Sequence, residues 1–260
     1  MSTDKKTKIN RLVSQWPKGT LTVTPYLKKQ GFSQELLKRY RHSGWIESFG
    51  RGAYILNGDE VKWYGALYTL QTQLGLKIYP GGKTALELKG YAHYLPSGIR
   101  NIYLYCPRGL LLPSWFKIKW PGVKIITLRT GLFPAENELG LTVHDEKGIC
   151  IKISAPERAA LEMLYLVPGK IGFEEAFLLI QNLTTLRYEL VQSLLEKCCS
   201  IKVKRLFMFM AEKHEHTWLS KLNTSKIDMG KGKRMIVTQG RYDRKYMITV
   251  PENIYTETVE

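Results

Sequence analysis

The sequence is poor in cysteine and has no long apolar run. Its four cysteines, Cys106, Cys150, Cys198 and Cys199, show no C-x-x-C spacing, which argues against a zinc or redox motif and is typical of reduced thiols in the cytosol. The longest apolar stretches, such as residues 206–211, fall far short of the roughly 18 residues that cross a bilayer. The N-terminus lacks the apolar segment of a secretion signal. We therefore expect a cytoplasmic protein with no membrane partner.

Enzyme signatures are missing as well. The sequence contains no G-x-S-x-G elbow and no H-E-x-x-H zinc motif. His214 and His216 form an H-x-H pair, but no third metal ligand stands near them in the sequence, so we predict that both histidines are exposed to solvent. The sequence therefore predicts a protein that is not an enzyme and that holds no metal or cofactor.

One short stretch, YPGGKTALELKG, resembles the end of a phosphate-binding loop at Gly82-Lys83-Thr84. The full motif needs a glycine at position 77, where Lys77 stands, and Pro80 removes one of the backbone N–H groups that would hold a phosphate. Thr84 and Glu87 form the T-x-x-E pattern of a helix capping box instead. We therefore predict a turn that leads into a short helix, and no nucleotide site.

Acidic residues are scarce at one end of the chain. The protein has 39 Lys and Arg against 23 Asp and Glu, a formal net charge of +16. Residues 1–58 carry eleven basic and three acidic residues, so half of the excess charge lies in about the first fifth of the chain. A concentrated basic surface of this kind commonly faces phosphate groups, although a solvated face is the simpler alternative.

Residues 1–58 carry the pattern of three helices and a hairpin. An amphipathic helix ends before Pro17, and Thr24-Pro25 predicts the start of a second, short helix, with Thr24 as its N-cap. Ser33 is placed to cap a third helix. Two alternating segments then flank Gly50-Arg51-Gly52, which predicts a hairpin with Arg51 at its tip. The sequence thus predicts a winged helix-turn-helix domain over residues 1–58.

A helix-turn-helix domain of this kind reads duplex DNA by placing its last helix in the major groove. Gln34, Lys38 and Arg41 share the outward face of the predicted third helix and would read or flank bases. Ser33 is predicted to fix the start of this helix. The residues predicted to bind phosphates are Lys28, Lys29, Arg39 and Arg51. A protein-interaction module of the same shape is the alternative.

Residues 59–260 predict a larger mixed α+β domain, with a possible division into lobes 59–154 and 155–260. A helix is predicted in DEVKWYGALYTLQTQLG, and Ser154 and Glu157 form a second capping-box pattern before the helix SAPERAALEMLYLVP. The predicted strands are NIYLYC, FKIKW, VKIITLR, LTVHD and GICIKIS, and the further helices are GFEEAFLLIQNL, TLRYELVQSLLEKCC and VKRLFMFMAEKHEHTWL. Two β-like runs around Gly240-Arg241 are predicted in the tail.

Four ordered blocks in this chain resemble the AbiEi antitoxin family of type IV toxin–antitoxin, or abortive infection, systems. The blocks are GGKTALELKGYAHYLP, SAPERAALE, KVKRLFMFMAE and GKGKRMIVTQGRYDRKYMITVP, and they follow a basic winged head. The resemblance implies an N-terminal winged helix-turn-helix that represses its own operon by binding the upstream DNA. It also implies a C-terminal domain that counteracts a nucleotidyltransferase toxin encoded beside it.

The last of these blocks carries a second concentration of charge. Residues 226–246 hold seven basic and two acidic residues. The second basic surface predicted from them consists of Lys231, Lys233, Arg234, Arg241, Arg244 and Lys245, and KVKR at residues 202–205 is expected to extend it. Three interpretations are open: contact with DNA beside the operator, contact with RNA on which the toxin acts, or a solvated hairpin.

Two other functions compete with that of an autorepressing antitoxin. One is a stand-alone regulator whose second domain binds an unrelated ligand or partner. The other is a Mg²⁺-dependent nuclease, because Glu87-x-Lys89 resembles the end of a nuclease motif, although both residues fall on a helix rather than on a strand. No long heptad pattern is present, so we expect a monomer in solution.

Overall fold

A computed structural model describes residues 8–91, 100–117, 120–134 and 138–255. The predicted α+β class is confirmed. The chain forms two compact units, the first from Met1–Tyr79, Gly109–Ile125 and Val143–Lys152, and the second from Pro80–Arg108, Ile126–Thr142 and Ile153–Glu260. The boundary predicted after residue 58 stays a prediction. Within the described ranges, no helix is both long and apolar enough to cross a bilayer.

The N-terminal elements occur in the order helix, strand, two helices and hairpin. Their bounds are α1 Lys8–Gln15, β1 Thr22–Val23, α2 Thr24–Lys29, α3 Gln34–His42, β2 Ile46–Gly50 and β3 Ala53–Leu56. β3 lies between β1 and β2 and pairs antiparallel with both. This is the element order of a winged helix-turn-helix. Residues 5–7, the predicted start of the first helix, lie outside the described residues.

The middle of the chain is rich in short strands. Its elements are α4 Trp63–Thr72, β4 Tyr79–Pro80, α5 Gly82–Leu88, β5 Asn101–Cys106, a 3₁₀ helix Ser114–Lys117, β6 Lys124–Arg129, β7 Leu141–Glu146 and β8 Ile149–Ser154. β4, β5 and β6 form one sheet in that order, and β7 and β8 form a hairpin. The strand predicted in FKIKW is wrong for Phe116 and Lys117, which belong to the 3₁₀ helix; Ile118 and Lys119 lie outside the described residues.

The last part of the chain is helical and ends in a small sheet. Its elements are α6 Pro156–Tyr165, α7 Phe173–Gln181, α8 Tyr188–Lys197, α9 Ile201–Lys213, β9 Arg234–Met235, β10 Arg241–Asp243 and β11 Ile248–Val250, with short 3₁₀ turns at Thr217–Lys221, Thr224–Lys226 and Glu252–Tyr255. β11 pairs antiparallel with β10 and parallel with β9. The turn predicted at Gly240-Arg241 is wrong, because the turn that reverses the chain lies between β10 and β11.

In the first unit, the three N-terminal helices pack around a common core. Buried side chains from the three helices, the segments that follow α1 and α2, and β2 meet there, and they are Leu12, Trp16, Leu27, Phe32, Leu37 and Ile46. Gln71 on α4 holds β8 by its side-chain amide, which accepts from the Lys152 N–H at 2.8 Å and donates to the Lys152 carbonyl at 2.9 Å. A single glutamine therefore gives the end of this strand the two hydrogen bonds that a neighbouring strand would give it.

In the second unit, Glu162 on α6 joins three other parts of the chain, two through its carboxylate and one through its backbone carbonyl. It is 1% exposed and pairs with Arg158, whose Nε donates to Oε1 at 2.9 Å. The Ser154 hydroxyl and the Gly82 N–H donate to Oε2 at 2.7 and 3.1 Å. The Tyr105 hydroxyl donates to the Glu162 carbonyl at 2.8 Å. A buried charge is tolerated when it is paired and hydrogen-bonded in this way.

The glycine pair of PGGKT is explained by this contact. A Cβ on Gly81 would lie 2.2 Å from Oε2 of Glu162 and 2.7 Å from the Tyr105 ring, closer than atoms can approach. Gly82 has φ +53°, a conformation that side chains disfavour. Its N–H points at a carboxylate of the protein itself, and this oxygen takes the place that a phosphate would need.

Both predicted capping boxes are wrong. α5 begins after Gly81 and α6 after Ala155, and neither residue provides a side-chain cap. The Thr84 hydroxyl instead accepts from the Tyr103 N–H at 2.9 Å and donates to the Asn101 carbonyl at 3.2 Å, which ties α5 to β5. Ser154 bonds to Glu162. Each hydroxyl forms a tertiary hydrogen bond instead of capping a helix.

We expect Gly81→Ala to lower the free energy of unfolding by about 1–3 kcal/mol, because the added methyl group overpacks the contact with Glu162. Glu162→Gln should cost about 3–5 kcal/mol, because it leaves Arg158 buried without its counter-ion. Urea unfolding measures both values. Gly169→Ala is the matched control, since its nearest neighbouring atom would lie 4.0 Å away; an equal loss in Gly81→Ala and the control would contradict the assignment.

Candidate nucleic-acid interface

The face of α3 opposite the core carries the predicted base-reading residues. Gln34, Lys38 and Arg41 are all exposed, and their spacing of four and then three residues brings them onto one side of the helix. Leu37 on the other side is 1% exposed, and Leu36 and Tyr40 pack against the same core. The predicted orientation of α3 is therefore confirmed.

The turn between α2 and α3 fixes where α3 begins. Ser33 is the N-cap as predicted, and its hydroxyl accepts from the Leu36 N–H at 3.2 Å. Gly31 has φ +82°, which allows the sharp change of direction after α2. The predicted N-cap of α2 is wrong by one residue: Thr24 is the first helical residue and Val23, still in β1, precedes it. Pro25 lies in the first turn as predicted.

The wing, residues 46–56, is the hairpin of β2 and β3, and Arg51 lies exposed at its tip. Thr24 holds the wing on one side, because its N–H and hydroxyl both donate to the Gly52 carbonyl, at 2.9 and 3.2 Å. Trp115 and Trp120 hold it on the other side, where Trp120 stacks on Phe49 with ring centroids 5.8 Å apart. Sequence reasoning missed this second support, because it had assigned Trp120 to a strand of another domain.

The predicted phosphate-clamping residues are free to face a ligand. Lys28, Lys29, Arg39 and Arg51 are exposed, and so are Lys38 and Arg41. Within the described ranges none of these six side chains forms an ion pair. Glu35 in the first turn of α3 is the acidic exception on this face. Unpaired cations on a helix and a wing form the electrostatic footprint expected for a polyanion.

The second basic surface lies on and beside the sheet of β9, β10 and β11. All six of its predicted residues are exposed: Lys231, Lys233, Arg234, Arg241, Arg244 and Lys245. Lys245 forms an ion pair with Glu212, which cancels part of its charge. Lys233 and Arg241 lie over the rings of Tyr242 and Tyr255, at 5.0 and 4.4 Å from the centroids. Basic residues interleaved with aromatic rings are a common composition of nucleic-acid surfaces.

The expectation that KVKR extends this surface is wrong. Arg205 is 0% exposed, and it donates to the carbonyls of Met229, Gly230 and Gly232 at 2.6–3.0 Å and to that of Met247 at 3.3 Å. Lys204 is 3% exposed and donates to the Asp228 carbonyl at 3.0 Å. Both side chains are buried and bind the loop that leads into β9, so they support the second basic surface from the protein interior.

The histidines of the H-x-H pair are not exposed to solvent, contrary to the prediction. Each donates from Nε2 to a carbonyl of α7 at 2.9 Å, His214 to Phe177 and His216 to Ile180. His216 is 6% exposed and stacks on Trp218. Burial lowers the pKa of both histidines. They are packing residues, and the described part of the chain holds no cluster of three or more metal-ligating side chains.

Glu87, the residue of the nuclease-like pattern, lies on α5 beside Lys83 at 3.7 Å. Lys83 also pairs with Glu175 on α7 at 2.5 Å. Burial is the main reason that the pKa of Glu87 rises to about 6, against the opposing effect of Lys83. One carboxylate beside one lysine on a helix lacks the second carboxylate on a strand that Mg²⁺ chemistry requires.

Two family models together match most of the chain. A family model described as "Transcriptional regulator, AbiEi antitoxin, Type IV TA system" matches residues 100–251, and one described as the "AbiEi antitoxin N-terminal domain" matches residues 5–97. The fold is similar to the crystal structure of the RV2827C protein from Mycobacterium tuberculosis, with TM-score 0.59 and 13% identity over 92% of this chain and 88% of that one. No curated protein matches the sequence.

The raised pKa of Glu87 predicts a pH-dependent stability. The folded state holds the proton more tightly than the unfolded chain, so this contribution is complete below about pH 4.5 and is lost as the pH rises through about 6. Glu87→Gln should therefore be more stable than the wild type by about 1 kcal/mol at pH 7.5, and this difference should nearly vanish at pH 4. Urea unfolding at both pH values tests this, with exposed Glu196→Gln as control; a difference independent of pH would contradict it.

Proposed function

Because the chain belongs to the AbiEi antitoxin family of transcriptional regulators of type IV toxin–antitoxin systems, we propose that it represses its own operon by binding the upstream DNA with its winged head. The family match confirms the resemblance inferred from the four sequence blocks. The observation that carries the proposal is the exposed, unpaired polar and basic face of α3, beside a wing with Arg51 at its tip.

The chemistry of that face assigns a role to each residue. Gln34, near the start of α3, pairs with adenine, and Lys38 and Arg41 contact guanine or phosphate in the major groove. Lys28 and Lys29 on α2, with Arg39 and Arg51, bind phosphates and set the register of the head on the duplex. Ser33 fixes the N-terminus of α3, where the remaining backbone N–H groups favour a phosphate.

The second basic surface contacts DNA beside the operator site in this proposal. Five of its six cations form no ion pair among the described residues, and two of the five lie against tyrosine rings. The cations are exposed, while the apolar residues Ile248 and Val250 of the same sheet are buried. Binding of RNA, or of nothing, is the alternative, and an unchanged affinity for DNA in the charge-reversal variants would exclude the DNA contact.

The partner counteracted by the antitoxin is, in this proposal, a nucleotidyltransferase encoded in the same operon. The protein acts on it without catalysis of its own, because neither the described residues of α5 nor the buried histidines form a catalytic group. It acts as a monomer in solution. A ligand-sensing regulator is the second candidate, favoured by a cavity of about 350 Å³ lined by Met208, Met229, Met247 and Tyr246.

The first test is binding of the purified protein to its own upstream DNA and to a scrambled duplex across a series of salt concentrations. A strong preference for the upstream site, with affinity that falls steeply with salt, is the expected result. Equal and weak binding to both duplexes would reject the autorepressor and leave the head as a protein-interaction module.

Arg41→Ala should weaken binding to the upstream site by about 1–3 kcal/mol if Arg41 reaches a base edge. The same duplexes supply the control, because binding to the scrambled DNA should change little. An equal loss on both would identify Arg41 as a phosphate contact, and no loss on either would remove it from the interface.

Replacing Lys233 and Arg234 by Glu should weaken binding to the upstream DNA and reduce its dependence on salt, because two phosphate contacts are lost. The matched control reverses two exposed lysines elsewhere in the same unit, Lys170 and Lys197, which changes the net charge by the same amount. Unchanged affinity, or the same loss in both double variants, would exclude a local DNA contact at this surface.

A further inference from the structure

The wing rests on an aromatic cluster that lies more than sixty residues further along the chain. Trp115, Phe116 and Trp120, here called the tryptophan platform, are 4%, 2% and 6% exposed. Their rings contact one another, with centroids 6.1 Å apart for Trp115–Phe116 and 6.0 Å for Phe116–Trp120. The indole N–H of Trp120 donates to the Phe116 carbonyl at 3.2 Å, so the platform is internally fixed. It belongs to the first compact unit together with the wing.

A bulge in β2 turns the wing toward this platform. Ser48 pairs with Tyr54 and Gly50 with Ala53, so Phe49 is the extra residue that has no partner on β3. A bulge re-aims the side chain that it releases from the ladder. Phe49 stacks on Trp120 with 23° between the ring planes. Phe49 therefore leaves the regular strand pairing and contacts a residue outside the hairpin.

Gly50 brings the backbone of the wing against the same cluster. A Cβ at this position would lie 2.8 Å from Cβ of Trp115, so any side chain would push the wing and the platform apart. Gly50 immediately precedes Arg51. The Thr24 bonds to Gly52 and the platform contacts of Phe49 and Gly50 therefore hold the tip from two sides.

We propose that Trp115 and Trp120 are positioning residues for DNA binding, and that the tryptophan platform holds the wing so that Arg51 reaches a phosphate. The functional consequence rests on the autorepressor proposed above. The DNA-reading unit then includes Trp115, Phe116 and Trp120, which fall in the part of the chain matched by the model over residues 100–251 and not in the N-terminal domain matched over residues 5–97. β2 is an edge strand of the three-stranded sheet β1–β3–β2, and the platform packs against it at Phe49 and Gly50.

The test compares Phe49→Ala and Trp120→Ala with Arg51→Ala on the upstream DNA. Each should weaken binding about eightfold at about 0.1 M salt and lower the salt slope by about one, the effect of one lost phosphate contact. In an Arg51→Ala background, Phe49→Ala and Trp120→Ala should have no further effect, because the contact that they position is already gone. Trp120→Phe should restore binding, since it keeps an aromatic ring for the stack.

A loss of global stability is separated from a loss of positioning by two controls. Trp218→Ala removes a tryptophan that is equally buried but lies in the second unit, and should leave the salt slope unchanged. Phe49 is only half-buried, so Phe49→Ala keeps the core of the platform intact even if Trp120→Ala unfolds. An unchanged salt slope in folded Phe49→Ala, or losses that add to that of Arg51→Ala, would overturn the proposal.

A measurement without DNA separates this inference from the proposed function. Amide hydrogen exchange across residues 48–54 of the free protein should accelerate in Phe49→Ala and Trp120→Ala and not in Trp218→Ala. Unchanged exchange would refute the supporting role of the platform, whatever the protein binds. If exchange accelerates while the wild type binds upstream and scrambled DNA equally weakly, the platform does hold the wing. In that case the proposal that the protein is an autorepressor is wrong.

Discussion

The second unit depends on a buried carboxylate. Glu162 lies on α6 and accepts hydrogen bonds from the first residue of α5 and from the end of β8, while its counter-ion Arg158 comes from the same helix. Arg158 in turn donates to the Leu139 carbonyl at 2.7 Å and lies over the Phe133 ring. Removing either charge would leave the other buried in a low dielectric without this counter-ion, so the packing around the pair requires both residues.

The basic residues include two classes, those that donate hydrogen bonds within the protein and those exposed at the surface. The chain has 39 Lys and Arg, but several of them bind backbone carbonyls of the protein itself. Arg205 and Lys204 donate to carbonyls of the loop before β9, and Lys202 donates to the carbonyls of Tyr165 and Val167 at the C-terminal end of α6. The cations of α2, α3 and the wing are exposed instead. Net charge alone cannot separate these classes, because it counts a buried ligand and a surface cation equally.

The sequence predicted what depends on local pattern. Ser33 as a cap, the inward face of α3, β5 and the helix at α9 follow from side-chain periodicity and turn chemistry, which act over a few residues. The errors fall where a distant residue competes for a polar group. Thr84 and Ser154 have the spacing of helix caps, yet β5 and Glu162 take their hydroxyls. The contact between Phe49 and Trp120 could not be predicted from the sequence, because no local pattern links the two residues. The roles assigned to the interface residues stay predictions.

The origin of the first unit in three separate stretches of the chain has a consequence for synthesis on the ribosome. Its last stretch ends at Lys152, which Gln71 holds by two hydrogen bonds. The residues of the head emerge before their neighbours: the wing meets the platform only once Trp120 has been made, and Gln71 of α4 meets β8 only once Lys152 has been made. Contacts of such long range form slowly. A chain that ends before Trp120 therefore carries the residues of the head without the contacts that complete its packing.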